Sequence, residues 1–204
     1  MDIKKIENFW YYHKVKVFVA IFALTFIILG FRFNTGSNPD LEIGYVIENH
    51  GFALQNLEES QSVLESIIHK IDKDDEEDAE ILLMPLAGPR IEIELGIGIS
   101  HILIMDIETL EPFIDNYFFE PLDQYVDEYN IDISKHPEVV ADPLDTNEPK
   151  VYALPVKYMQ FLLDMGFPED FYFTIRLPKE DEEDDIMKIK NAHIVLDYVL
   201  NYSN

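Results

Sequence analysis

The segment "HILIMDIETLEPFIDNYFFEPLDQY", residues 101–125, decides the fold class of this 204-residue chain. Four consecutive apolar residues are typical of a buried strand, and Asp106 ends the run. The pattern then predicts a helix over about residues 110–117, with Glu108 or Thr109 as its cap, and a second turn or helix after the proline that follows. A strand that continues directly into a helix is a unit of an α/β fold, and an acid at the strand's carboxyl end lies where open α/β sheets bind ligands.

The residues upstream repeat this unit. "LEIGYVI" (41–47) and "ILLMPL" (81–86) predict strands, and the apolar spacing in "ALQNLEESQSVLESIIHKI" (53–71) predicts an amphipathic helix between them. "GPRIEIELGIGIS" (88–100) is ambiguous, because its isoleucines alternate as in a strand while Pro89 can start a helix. We favour the helix, since two consecutive parallel strands need a crossover.

Downstream, "DISKHPEVVADPLDTNEPK" (132–150) has three prolines and no period, so it is predicted to be a long surface loop. A strand should reach Val156, followed by a helix or a further strand, and "FYFTIRLP" (171–178) is another strand. Residues 184–202 should form a closing helix, with these side chains facing inward: Ile186, Ile189, Ala192, Val195, Leu196 and Val199. Residues 41–204 are thus expected to form a single three-layer α/β domain after a polar linker, residues 34–40.

The first 33 residues differ in charge from the rest. They carry five basic and two acidic residues, a net charge of +3, which leaves −28 for the remainder of a chain whose net charge is −25. Residues 17–31 contain no ionisable group, and snorkelling basic side chains extend the usable span to 15–33. The aromatic residues 9–12 are typical of the belt of aromatic side chains that lies at the level of the lipid headgroups. The flanking lysines predict that residues 1–14 are in the cytoplasm. The sequence therefore predicts a single transmembrane signal anchor with the acidic domain outside the cell membrane.

A cleaved signal peptide remains the alternative, because a basic start and an apolar run of this length also fit a secretory leader. The best small-x-small site, Thr35-Gly36-Ser37, matches a cleavage site poorly, which favours the anchor. The chain has no cysteine, which excludes disulfides and a lipoprotein anchor. An exported chain without cysteine favours a bacterial envelope of the Gram-positive kind.

Several stretches resemble one lobe of the extracellular solute-binding proteins of the sugar type. "ISHILIMDIETLEPFIDNYFFEPLDQYV" (99–126) is similar to their first lobe, "VYALPV" (151–156) to the strand that returns to the ligand cleft, and "NAHIVLDYVLN" (191–201) to their closing helix. "KIENFWYYHKVKVFVAIFALTFIILGF" (5–31) is similar to the anchors of small membrane proteins of Firmicutes that display a shortened version of this lobe. The resemblance implies domain I of a periplasmic-binding-protein-like fold, whereas clamshell closure needs two lobes and this chain has room for one.

Asp106, Tyr152 and Tyr158 are the candidate ligand-binding residues, because they would line a cleft at the carboxyl edge of such a sheet. The alternative is that Asp106 only caps the next helix and the tyrosines pack in the core. The acidic run 72–80 is a weak candidate cation cluster and otherwise a solvated connector. Its acidic residues have the spacing of the first ligands of a calcium-binding loop, but the required glycine and the final glutamate are absent. The candidate ligands are Asp72, Asp74, Glu76 and Asp78.

The motifs of common catalytic sites are missing from the sequence, which has no H-E-x-x-H, no G-x-S-x-G and no phosphate-binding loop. The chain is therefore not expected to be an enzyme or to need a cofactor. Its negative field disfavours nucleic acid and anionic lipid and favours cationic peptides, polyamines or divalent ions. We expect a binding, sensing or accessory role, and as the alternative a structural protein that docks on a neighbouring membrane complex without a small ligand.

Overall fold

The computed structural model describes residues 38–46, 54–71, 79–116, 118–179 and 182–202. The predicted anchor and cytoplasmic segment, most of the linker, and the acidic residues Asp72, Asp74, Glu76 and Asp78 lie outside these ranges. Within them, no helix is long and apolar enough to cross a membrane. Residues from Pro39 onward form one compact unit.

The unit is a mixed α/β domain in which helices flank a five-stranded sheet of order β2-β1-β3-β7-β6. Two further short strands, β4 and β5, pair with each other apart from this sheet. The strands are β1 (Leu41–Val46), β2 (Ile81–Leu86), β3 (Ile102–Asp106), β4 (Val140–Ala141), β5 (Lys150–Val151), β6 (Leu154–Pro155) and β7 (Phe171–Ile175). The helices are α1 (Leu57–Ile71), α2 (Pro89–Ile97), α3 (Ile107–Ile114), α4 (Asp123–Tyr129), α5 (Gln160–Asp164) and α6 (Glu183–Asn201).

The three strands β1, β2 and β3 are parallel, with β1 in the middle, and α1 and α2 are the crossovers between them. The ambiguous segment 88–100 is thus the expected helix. Pro89 lies in its first turn, and Gly98 ends it at φ +65°, with its N–H bonded to the carbonyl of Glu94. The alternating isoleucines do not indicate a strand here, because Ile91 and Leu95 lie on the buried side of a helix.

The helix after β3 starts three residues earlier than predicted. It spans Ile107–Ile114, and its cap is Asp106 rather than Glu108 or Thr109. The reason is local, because the Asp106 carboxylate accepts a hydrogen bond from the Thr109 N–H and so satisfies one of the first unpaired donors of the helix.

The predicted surface loop 132–150 is only in part a surface loop. It contains short 3-10 turns at Ile133–Lys135 and Pro137–Val139, and Val139 is completely buried. The strand expected to reach Val156 is divided, because β5 pairs with β4 while β6 joins the main sheet. The residues after β6 form a 3-10 turn, Val156–Tyr158, and then α5, so a helix follows rather than a further strand.

Helix α6 packs on β1, β7 and α1 through five of the six side chains expected to face inward. Ile186 is the exception and was predicted wrongly, since it is 53% exposed. Its neighbour Asp185 is buried against the Arg176 guanidinium instead. Because successive helical residues are about 100° apart, turning Asp185 inward turns Ile186 outward.

Candidate functional site

The strand order β2-β1-β3 creates a topological switch point, because the chain leaves β1 towards β2 on one side and reaches β3 on the other. Ligands of open α/β sheets bind at the carboxyl edge beside such a point. Asp106 lies at that edge, at the end of β3, directly after the completely buried Met105.

The carboxylate of Asp106 is engaged in holding the start of α3. Its Oδ1 accepts from the backbone N–H of Thr109 at 2.9 Å, and its Oδ2 accepts from the Thr109 hydroxyl at 3.0 Å. The side chain is buried, with 8% of its surface exposed. Its local role is therefore the capping role that the sequence left open as the alternative.

The two candidate tyrosines lie at opposite ends of β6. Tyr152 precedes the strand, is buried, and donates its backbone N–H to the carbonyl of Val139. Tyr158 follows the strand and is half-buried. Both β3 and β6 run antiparallel to β7, so Asp106 and the turn after β6 that carries Tyr158 lie at the same carboxyl edge. The structure thus places two of the three candidates at one edge and Tyr152 away from it.

Four polar side chains that the sequence did not single out meet at this edge, and we call them the edge cluster: His136, Glu138, Lys157 and Tyr172. The Tyr172 hydroxyl donates to Glu138 Oε1 at 2.7 Å, and His136 Nδ1 lies 2.9 Å from that hydroxyl. Lys157 Nζ lies 2.5 Å from His136 Nε2 and 5.0 Å from the centre of the Tyr158 ring. The edge cluster therefore connects the 3-10 turn before β4 to β7 and to the turn after β6.

The contacts define where the protons of the edge cluster lie. An ammonium group has only donors, so His136 accepts from Lys157 at Nε2 and carries its own proton at Nδ1, which is 3.2 Å from Glu138 Oε1. Burial raises the pKa of Glu138, but the hydrogen bonds from Tyr172, the backbone and His136 outweigh burial and hold the pKa below its usual range. Burial and the Glu138 hydrogen bond raise the pKa of Tyr172. The edge cluster at neutral pH thus pairs an ionised carboxylate with an un-ionised phenol.

The sequence carried one weak signal for the edge cluster. His136 and Glu138 lie in a long proline-rich connection, and long connections on a rigid scaffold often hold functional side chains. Lys157 and Tyr172 come from other elements and meet His136 only through the pairing of β6 with β7.

The opposite edge of the sheet holds a second polar network, which is buried. The Arg176 guanidinium bonds both carboxylate oxygens of Asp185, at 2.5 and 3.2 Å, and the backbone N–H of Lys179 donates to the same carboxylate at 2.6 Å. His101 Nε2 is 3.2 Å from Asp185 Oδ1. Burial together with the Arg176 charge lowers the pKa of His101 to about 4. This network attaches α6 to the sheet and gives His101 a structural role.

A third polar group joins α6 to the segment around α4. His193 Nε2 lies 2.5 Å from Glu120 Oε2, and His193 Nδ1 lies 2.9 Å from the Tyr125 hydroxyl. The His193 and Tyr125 rings stack, with centres 5.9 Å apart. Burial raises the pKa of Tyr125 to about 12, so its hydroxyl stays protonated. The contacts indicate that His193 is a packing residue at this position.

In the described part of the chain, no three or more histidine or acidic residues converge as metal ligands. The weak cation candidates of the acidic run lie outside that part. No protein-family model matches this chain, and no curated protein is significantly similar to it. The chemistry of the edge cluster must therefore be interpreted from its own atoms.

Proposed function

We propose that this chain is a single-pass membrane protein whose extracytoplasmic α/β lobe binds a small solute at the carboxyl edge of its sheet, in a sensing, receptor or accessory role without catalysis. The observation that carries the proposal is the edge cluster, in which Lys157, His136 and Glu138 converge at the same edge of the sheet as Asp106. Half-buried ionisable groups gathered at this edge are typical of ligand sites in α/β sheets.

The charge of the edge cluster indicates what it can recognise. Lys157 is a cation in a chain of net charge −25, and its ammonium has three donors, of which His136 accepts one. Glu138 supplies an acceptor on the other side of His136. A polar solute with both acceptor and donor groups, such as a sugar or an amino acid, matches this arrangement.

The membrane part of the proposal depends on the sequence. The basic first 33 residues, the apolar run 17–31 and the acidic remainder support an inside N-terminus and an outside domain. The structure shows a mixed α/β domain with a five-stranded sheet and flanking helices, and the solute-binding type of the lobe rests on the sequence resemblance. Labelling tests the topology directly, because the chain has no cysteine of its own. A membrane-impermeant maleimide should label a Glu148→Cys variant on intact cells and a Lys4→Cys variant only after permeabilisation; the reverse pattern contradicts the proposed topology.

Ligand binding is tested by thermal unfolding of the full chain in a non-ionic detergent against sugars, amino acids and peptides. A ligand at 100 times its Kd adds about 2.7 kcal/mol, which raises Tm by roughly 5–10 °C for a domain of this size. The shift should disappear in Lys157→Gln and persist in Lys135→Gln, because Lys135 is exposed and pairs with Asp132 outside the edge cluster. Absence of any shift, or equal loss in both variants, contradicts a solute site at this edge.

The docking alternative has one observation in its favour. Ile93 and Ile97 are 54% and 58% exposed and lie one turn apart on α2, and Ile99 follows them on the surface. A partner protein bound there should cross-link in cells to a photoreactive residue placed at Ile97 and not to one placed at Glu92, which is exposed on another side of α2. Equal cross-linking from both positions would remove the support for this surface as a docking site.

A further inference from the structure

A cavity of about 430 Å³ lies between the start of α1, the short helix α5 and the end of α6. It is separate from the edge cluster, and no residue of the edge cluster lines it. Its volume falls within the usual range of small-molecule sites, about 300–1,000 Å³. The side chains that decide its chemistry are Glu59, Ser60, Phe161, Asp164, Tyr198 and Tyr202.

Three aromatic rings form a corner of the cavity. The centres of Phe161 and Tyr202 are 5.1 Å apart, those of Phe161 and Tyr198 are 5.5 Å apart, and those of Tyr198 and Tyr202 are 5.8 Å apart. The ring planes cross at 60° to 77° rather than stacking. Tyr202 is 46% exposed and Tyr198 is half-buried, so a ligand can reach this corner. An aromatic face carries the negative part of the ring quadrupole, which attracts cations.

Two carboxylates complete the lining. Glu59 and Asp164 are both exposed, and Asp164 is held by a hydrogen bond from the Gln160 amide at 2.7 Å. The described lining contains neither lysine nor arginine, so no side-chain cation neutralises the two acids inside the cavity. Aromatic rings and carboxylates in one cavity both attract a positive charge.

We infer that this cavity binds an organic ammonium ion. The aromatic corner suits the alkyl groups of such an ion, and the carboxylates suit its charge, whereas a bare metal ion would need oxygen ligands that the rings do not supply. The net charge of −25 adds a long-range attraction that concentrates cations near the protein surface. This inference is independent of the proposed solute site, since the two share no residue.

The test is calorimetric titration of the full chain in a maltoside detergent and phosphate buffer, because amine buffers would compete. The probes are choline, spermidine and 3,3-dimethyl-1-butanol, the last being a neutral molecule of nearly the same shape as choline. We expect both ammonium probes to bind and the neutral one to bind at least about tenfold more weakly, since a desolvated cation–π contact and a carboxylate together exceed one factor of ten. Equal binding of choline and its neutral analogue, or no binding of either ammonium ion at millimolar concentration, overturns the inference.

Matched variants locate the site. Tyr202→Ala should weaken choline binding about tenfold and Tyr202→Phe should restore it, because only the ring is needed. The ring is 46% exposed, so its removal leaves the core intact. Glu59→Gln should weaken binding by a factor of about three to ten, whereas Glu58→Gln, which removes the same charge beside the cavity, should not. Equal effects of the two glutamine variants would indicate attraction by net charge alone and would overturn the cavity as the site.

Discussion

The buried imidazole of His101 should make the stability of the domain depend on pH in a way that a single substitution removes. His101 is 3% exposed, and its Nδ1 is buried without a hydrogen-bond partner among the described residues. The groups that face it are Asp185 at Nε2, Glu42 with a carboxylate oxygen 3.9 Å from Nδ1, and the cations Arg176 and Lys188. Burial and the two cations outweigh Asp185, so the pKa of His101 is lowered to about 4 and the folded protein keeps this imidazole neutral down to that pH.

The direction of this pH dependence follows from proton binding. In the unfolded chain His101 takes up a proton below pH 6.5, and in the folded chain its pKa is about 4, so the unfolded state binds more protons between these values. Stability is therefore fully present above pH 6.5 and falls as the pH is lowered towards 4. Between pH 7 and pH 5 this one group lowers the unfolding free energy by about 2 kcal/mol. The figure follows from a folded pKa of about 4 and an unfolded pKa of 6.5.

Urea unfolding at pH 5, 6 and 7, followed by circular dichroism, measures this loss. The comparison is between the parent chain and His101→Gln, whose amide can still donate to Asp185 but does not titrate. The difference in unfolding free energy between the two should change by about 2 kcal/mol over this range, roughly 1 M in the urea midpoint. His69→Gln is the control, because His69 is exposed on α1. Parallel pH profiles of the parent and His101→Gln would refute the reasoning.

Three pairs of substitutions test the packing and the cap of α3. Gly44→Ala should destabilise the domain by about 1–3 kcal/mol, because the added Cβ would lie 2.7 to 3.0 Å from three side-chain atoms. Gly96→Ala should stabilise the domain by about 0.5–1 kcal/mol, because its Cβ would have nothing within 4 Å. Chemical denaturation that ranks the two variants in the opposite order contradicts this packing. Asp106→Ala should lower the unfolding free energy by about 1 kcal/mol, because the cap of α3 is lost, and Asp106→Asn should lower it much less. Thermal unfolding measures both losses, and equal losses would exclude capping as the main contribution of Asp106. Leu196→Ala should lower the unfolding free energy by about 2–5 kcal/mol, because Leu196 is fully buried. Ile186→Ala should lower it by under about 0.5 kcal/mol in the same assay, because Ile186 is exposed. A comparable loss in both variants would contradict the orientation of α6.

Local patterns accounted for much of the fold. The strands near residues 41–47, 81–86, 101–107 and 171–178 followed from apolar runs, alternation and residue type, and α1 followed from its helical period, because burial against a sheet imposes such patterns on the sequence. Helix α2 followed instead from the crossover that two parallel strands need. The predictions failed where a tertiary partner overrode the local pattern. Ile186 faces solvent because the buried Arg176 requires Asp185 as its partner, and the apparent loop 132–150 carries the completely buried Val139.

The candidate site depended even more on tertiary structure. The sequence alone determined Asp106 as a strand-terminal acid, and both its ligand role and its capping role agreed with the pattern. Only the tertiary structure shows that its carboxylate accepts from the Thr109 N–H and so caps α3. The sequence also determined the charge asymmetry of the chain and its lack of cysteine, since both are properties of composition. The edge cluster and the aromatic cavity were decided by the tertiary structure, because each gathers side chains from elements far apart in the chain. Periodicity reports only which face of an element is buried, whereas such a site depends on which elements become neighbours.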